Sequence, residues 1–240
     1  MLRVLDLFSG IGGFSLGLER TGGFETAAFC DIDKPAQKVL SKHWPNVPIF
    51  DDVSSLTQKD IDGPIDVICG GFPCQDISLA GKGAGLAGER SGLWFEYLRL
   101  VKELRPSWVL AENVSALRSR GLDEVLRSLN EIGYDAEWHC IPASYVGAWH
   151  RRDRVWILAY PHREFSQGVT QEPVLRQSDL SLEPSRGFAK WTGRSDLPES
   201  RFLRSLDGVP SGAHRLKQLG NAVIPQIPEI IGNAILRTYG

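Results

Sequence analysis

Val4-Leu5-Asp6-Leu7-Phe8-Ser9-Gly10-Ile11-Gly12-Gly13-Phe14 runs from an apolar stretch of strand character, through closely spaced glycines, into the start of a helical pattern. Glycines at a strand end let a ligand approach the backbone, and the helix that follows offers its N-terminus. Alone, the run is a weak signal for a nucleotide-like cofactor, and the glycines serve equally well for strand-to-helix packing. It fails the dinucleotide fingerprint, because after Gly10 and Gly12 the third glycine position holds Ser15, which disfavours a dehydrogenase. Outward from this run, apolar stretches recur at Thr26 to Cys30, Ile65 to Cys69, Trp108 to Ala111, Ala136 to Ile141 and Arg154 to Leu158. Helix-period segments lie between most of them, clearest in Leu93 to Leu104 and Leu122 to Ile132. This alternation predicts a doubly wound α/β sheet, which binds ligands at the carboxyl ends of its strands.

The chain has 240 residues, 42% of them hydrophobic and 23% charged, which suits an ordinary soluble protein with a sizeable core. No apolar run approaches the ~20 residues of a membrane span, and the start Met1-Leu2-Arg3-Val4-Leu5-Asp6 lacks a secretory pattern, so the expected location is cytoplasmic and off the membrane. Cys30, Cys69, Cys74 and Cys140 form no C-x-x-C pair and no zinc-like spacing, so neither a disulfide nor a metal site is expected. A net charge of −2 argues against a protein that coats nucleic acid by bulk charge. The distribution is uneven: residues 1–140 carry 14 Lys+Arg against 20 Asp+Glu, whereas residues 141–240 carry 13 against 9. A polyanion would be met mainly by the C-terminal part.

The residues that carry chemistry sit at predicted strand ends. Asp31 and Ile32 follow the second apolar run about 20 residues after the glycines, where acids in such folds accept hydrogen bonds from ribose hydroxyls. Asp52-Val53, after Val47-Pro48-Ile49-Phe50, adds a further acid and an apolar neighbour able to bracket an adenine ring. Each alone is as well read as a helix cap, but with the glycines they describe an adenosine site without a pyrophosphate. Cys74, in Gly70-Gly71-Phe72-Pro73-Cys74-Gln75, is a thiol whose direction the preceding proline sets, suited to a nucleophile and equally to a small packed hydrophobe. Glu112, in Ala111-Glu112-Asn113-Val114, breaks out of an apolar run and is either a desolvated acid or an ion-pair partner. In His150-Arg151-Arg152-Asp153-Arg154, strand alternation predicts Arg152 and Arg154 on one face, with guanidinium forks for phosphate or a base edge.

In order, Asp6-Leu7-Phe8-Ser9-Gly10-x-Gly12-Gly13, Gly71-Phe72-Pro73-Cys74-Gln75, Glu112-Asn113-Val114, Arg152-x-Arg154 and Gly220-Asn221-Ala222-Val223 closely resemble the C5-cytosine DNA methyltransferases, most of all the compact bacterial and phage members. The resemblance implies a Rossmann-like S-adenosylmethionine-dependent methyltransferase sheet with a small irregular target-recognition lobe. It implies a catalytic domain over residues 1–160, a recognition segment over 161–213 and a C-terminal return of the chain over 214–240. It implies transfer of a methyl group from S-adenosylmethionine to C5 of a flipped cytosine, with Cys74 adding to C6, Glu112 acting at N3, and Arg152 with Arg154 holding the base or supporting Cys74. Phe8, Gly10, Gly12, Asp31, Ile32, Asp52, Val53, Pro73 and Leu93 would surround the cofactor, with Asn221 and Ala222 near its amino-acid end. Double-stranded DNA is the implied substrate, a monomer the implied state, and a cognate restriction endonuclease the partner of those members that belong to restriction-modification systems.

Gln75, Ser78 and Lys82 fall in a glycine-rich stretch, Gln75 to Gly92, expected to close over DNA. Between Tyr160 and His214 the pattern becomes irregular, with only about 50 residues where larger family members carry a full recognition domain. Lys190, Arg194, Arg201 and Arg204 in that segment are the candidate DNA contacts, and a solvated loop of ordinary charge is the plain alternative. His150 stands where the family's arginine motif carries glutamine. Two other readings share these motifs: methylation of cytosine in tRNA, and a catalytically silent DNA-binding relative.

Overall fold

A computed structural model describes residues 1–73, 92–147, 152–162, 172–180 and 222–239 of the chain. Seven strands form one sheet: β1 (Leu2–Leu7), β2 (Phe24–Cys30), β3 (Ile49–Phe50), β4 (Val67–Gly71), β5 (Trp108–Val114), β6 (Tyr134–Pro142) and β7 (Asp153–Pro161), in the order β3-β2-β1-β4-β5-β7-β6. β1 to β5 are parallel, whereas β7 runs antiparallel to both β5 and β6. The strand order reverses between β1 and β4, which opens a crevice at their carboxyl ends. Because β7 is antiparallel, its beginning lies at that same edge, beside the end of β5.

The helices are α1 (Gly13–Glu19), α2 (Lys34–His43), α3 (Gly92–Leu104), α4 (Leu117–Arg120), α5 (Leu122–Glu131), α6 (Gln177–Leu180) and α7 (Gln226–Leu236). Apolar spacing decides which face each one buries. On α3, Trp94, Tyr97, Leu100 and Val101 are buried, and on α5, Leu122, Val125 and Leu129, so both helices pack on one side of the sheet against Val109 and Ile157. On the other side, Phe14 and Leu18 of α1 and Ile227, Ile231 and Ile235 of α7 cover Val4, Val67, Leu110 and Leu158. Each fully buried aliphatic side chain contributes on the order of 1.5–3 kcal/mol through the water it no longer orders.

The C-terminal return is joined to the glycine turn by a close approach. A Cβ on Gly13 would stand 2.5 Å from the Val223 carbonyl oxygen, so only glycine lets the chain before α7 lie against the start of α1. The irregular span after β7 is not wholly separate from the sheet. Val174 and Leu175 are buried in the α1/α7 core, their N–H groups donate to the Glu137 carboxylate of β6 at 3.1 and 3.0 Å, and Arg237 pairs with Asp179 at 2.7 Å. Residues 172–180, placed by sequence inside the recognition segment, therefore dock on the sheet and its covering helices. Among the described residues no helix is long and apolar enough to cross a membrane.

Candidate active site

At the end of β1 the chain turns through Phe8, Gly10 and Gly12, with φ of 52°, 54° and 83°. Ser9 stitches this turn to β2: its hydroxyl donates to the Asp6 carbonyl at 2.5 Å and accepts from the Cys30 N–H at 3.2 Å. Asp31 then closes the turn from β2, accepting from the Gly10 N–H at 2.6 Å and the Asp33 N–H at 2.8 Å. Burial pushes the Asp31 carboxyl above its ordinary range, and the Asp33 and Gly10 N–H groups oppose that. Ile32 beside it is 79% exposed. Asp52, just beyond β3, is exposed, and its carboxylate accepts from the Ser54 N–H and hydroxyl at 2.9 and 2.7 Å. Val53 packs its side chain into the core, and the exposed apolar side chain here is that of Ile32. Leu93, at the start of α3, is half-buried against the same core.

Two carboxylates at adjacent strand ends, with a positive-φ turn where nothing lies within 4 Å of the Gly10 Cβ position, form a set of acceptors and open space that fits an adenosine. The residues present thus fit S-adenosylmethionine, and Phe8, Gly10, Gly12, Asp31, Ile32 and Asp52 lie around this one crevice.

Across the switch point, Glu112 lies near the end of β5, paired in register with Gly71 of β4 and Trp156 of β7. Its Oε1 accepts from Arg154 Nε at 2.8 Å. A Cβ on Gly71 would lie 3.0 Å from Glu112 Oε2, so the bare glycine leaves room for the carboxyl over the end of β4. Burial raises the affinity of Glu112 for a proton, while the charges of Arg154 and then Arg152 work against it. Glu112 is thus a desolvated acid whose hold on its proton is raised by burial and opposed by two neighbouring guanidinium charges.

Arg152 differs from its sequence expectation. It precedes β7 with φ of 32°, outside the strand, so alternation does not set its direction. Its Nη1 donates to the Ala222 carbonyl at 2.8 Å, and the two arginines divide: Arg154 serves Glu112, while Arg152 ties the C-terminal return to the site. Arg152 is also partly desolvated by burial, which with the Arg154 charge lowers its hold on the proton.

Pro73 stands exposed at the end of β4, just after Phe72, whose buried ring lies 4.9 Å from that of Trp94. Asn113 Nδ2 donates to the Phe72 carbonyl at 3.1 Å, and its Oδ1 accepts from the Val114 N–H at 2.8 Å. Asn113 thus fixes the chain that leads to Cys74 to the strand carrying Glu112. Nothing in the sequence marked it beyond its place next to Glu112. Asp6 was also missed as a site-supporting group, although a carboxylate inside Val4-Leu5-Asp6-Leu7 is itself a signal. It is fully buried, its Oδ2 accepts from the Ser15 N–H and hydroxyl at 3.3 and 2.8 Å, and its Oδ1 has no hydrogen-bond partner among the described residues. Cys74, Gln75, Ser78, Lys82, Lys190, Arg194, Arg201, Arg204 and Asn221 lie outside the described residues.

The family model for C-5 cytosine-specific DNA methylases matches residues 2–185. The Type II methyltransferase M.Eco47II of Escherichia coli is 35% identical over 225 residues, covering 88% of this chain and 53% of that protein. M.CviJI of Paramecium bursaria Chlorella virus IL3A is 39% identical over 159 residues, covering 65% and 42%. This chain therefore spans about half the length of these curated relatives. Among solved structures, the Entamoeba histolytica methyltransferase EhMeth superposes with a TM-score of 0.67 at 16% identity, covering 100% of this chain and 99% of that one. The Schizosaccharomyces pombe Dnmt2 methyltransferase does so with 0.58 at 19%, covering 97% and 94%. Both likenesses support the fold.

Proposed function

From the premise that this chain belongs to the C-5 cytosine-specific DNA methylase family, we propose that it is an S-adenosylmethionine-dependent DNA (cytosine-5-)-methyltransferase. The observation that carries the reading is the Glu112–Arg154 pair at 2.8 Å, set at the same sheet edge as the Phe72-Pro73 chain that leads directly into Cys74. S-adenosylmethionine bound at the glycine turn would supply the methyl group. The Cys74 thiolate adds to C6 of cytosine while Glu112, in its protonated form, donates to N3, so the ring electrons released by the addition accumulate at C5. After C5 takes the methyl group, solvent water accepts the C5 proton, the C5–C6 double bond re-forms, the thiolate leaves and the N3 proton returns to Glu112. Arg154 keeps Glu112 in place and stabilises the carboxylate left after the proton moves.

C6 is inaccessible in a stacked duplex, so the target base rotates into the crevice. Residues 161–213 apart from the docked stretch 172–180 act as the recognition lobe, with Lys190, Arg194, Arg201 and Arg204 on phosphates or base edges. The protein acts as a monomer in the cytoplasm, and a restriction endonuclease of the same site is its natural counterpart.

The test is bisulfite sequencing of a plasmid carried in cells that express the chain, alongside Cys74→Ser. Wild type should protect cytosines in one short sequence context, and Cys74→Ser should protect none. An unmodified plasmid with the folded wild type overturns the reading. Labelled methyl transfer to tRNA but not to duplex DNA moves the substrate to RNA.

A further inference from the structure

We propose that Arg99 is a positioning residue for the adenine end of the cofactor site, an inference that rests on the methyltransferase reading above. Arg99 lies on α3 and uses all three guanidinium nitrogens. Nη2 donates to the carbonyls of Val53 at 3.0 Å and Leu56 at 2.9 Å, residues 46 and 43 positions away in the chain. Nε donates to Glu96 at 2.7 Å and Nη1 to Glu103 at 2.9 Å, so two acids on its own helix, one turn to either side of it, hold the fork in one orientation.

The segment it grips is tied to α2 at one end and to itself in the middle, and Arg99 is its described side-chain link to α3. Between Phe50 of β3 and the short 3-10 helix at Gln58–Asp60, Lys34 and Gln37 of α2 hold the Asp51 carboxylate at 2.6 and 2.7 Å, and Ser54 and Ser55 bond back to Asp52, but the Val53 and Leu56 carbonyls are held from α3 by Arg99. Val53 and Leu56 are 4% and 2% exposed, which fixes their side chains in the core, and the Ser54 and Ser55 N–H groups are tied to Asp52 within the same turn. Arg99 adds a constraint by holding two carbonyls to one side. The Asp52 carboxylate, with the Val53 N–H next to it in the chain, then stands just beyond the carboxyl end of β3, beside the end of β2 that carries Asp31.

That presentation matters for a base edge. Adenine offers an amino donor at N6 and an acceptor at N1, which a carboxylate acceptor beside a backbone N–H complements. Hypoxanthine offers the reverse, an acceptor at O6 and a donor at N1. A backbone held in one orientation discriminates between them, and one free to rotate does so poorly, because a mismatched pair leaves polar groups unsatisfied only if they cannot turn away.

Arg99→Ala and Arg99→Lys test this by titration calorimetry with S-adenosylhomocysteine and its inosine counterpart. Lysine keeps the charge and a partner acid but has no planar fork to hold the two carbonyls and both acids. Wild type should prefer the adenine ligand, and both variants should lose roughly tenfold in its affinity while the inosine ligand changes little, so the preference collapses. A folded variant with the wild-type preference overturns the proposal, as does an equal loss for both ligands, which marks a general scaffold role. If Arg99→Ala does not fold, Arg99→Lys carries the comparison, and failure of both to fold also counts for the scaffold role. A folded wild type that binds neither ligand removes the methyltransferase reading itself, a result distinct from any of these.

Discussion

Asp6 shows how much a single side chain below the site can weigh. It faces Cys69 in the β1–β4 register, accepts from Ser15 at the start of α1, and is enclosed completely. Burial pushes its carboxyl from 3.8 up to about 8, against the pull of the Ser15 hydroxyl and N–H. A folded state with that raised value holds a proton that the unfolded chain has released, so Asp6 stabilises least at high pH. Its contribution declines as pH rises from about 4 to about 8. Asp6→Asn, which keeps an acceptor for Ser15 and cannot ionise, should flatten that part of the curve. Urea midpoints at pH 5 and pH 8 check this: wild type should fall more than the variant between them, and equal falls would place the pH dependence elsewhere. Arg154 was legible because it stands with Arg152 in a basic cluster at the head of a strand, and Glu112 because it breaks an apolar run. Asp6 was legible in the same way, yet its role was not, since only burial from both sides separates a structural carboxyl from a surface one.

At the level of elements, the 2.0 and 3.6 periodicities located α3 and α5 closely, and the strands to within a few residues. The run from Ile65 overestimated β4, which begins at Val67 because Pro64 and the Asp66 contact to the Arg3 N–H at 2.8 Å belong to the approach. The stretch at residues 172–180 had no period to read, as its docking depends on two apolar side chains and one acceptor from β6. Glu137 accepts from both Val174 and Leu175, and removing it leaves two N–H groups without that partner. Glu137→Ala should cost about 1–3 kcal/mol locally and raise amide exchange at Val174 and Leu175 while β5 and β7 stay protected. Unchanged exchange at those two amides would show that burial alone holds the segment.

For the whole molecule, the excess of 20 acids over 14 bases in residues 1–140 sets the catalytic portion against a polyanion, while residues 141–240 carry 13 bases against 9 acids. DNA should therefore be gripped through the C-terminal portion, with long-range attraction limited by a net charge of −2. Replacing Arg201 and Arg204 together by Ala should weaken DNA binding and reduce the slope of log affinity against log salt by roughly 2. An unchanged slope would remove both residues from the phosphate contacts.

The order of motifs, the strand-and-helix alternation and the set of candidate reacting residues were determined by the sequence, because local periodicity and the chemistry of side chains are properties of the chain itself. Tertiary structure decided which of those residues meet. The antiparallel return of β7 brings Arg154 to Glu112 from 42 positions away, and the C-terminal return brings Ala222 to Arg152 from 70. It decided too that Val53 turns inward, that residues 172–180 belong to the sheet, and that one arginine on α3 holds the turn after β3. Such pairings depend on sheet order and on the volume left between packed layers, neither of which any stretch of sequence carries by itself.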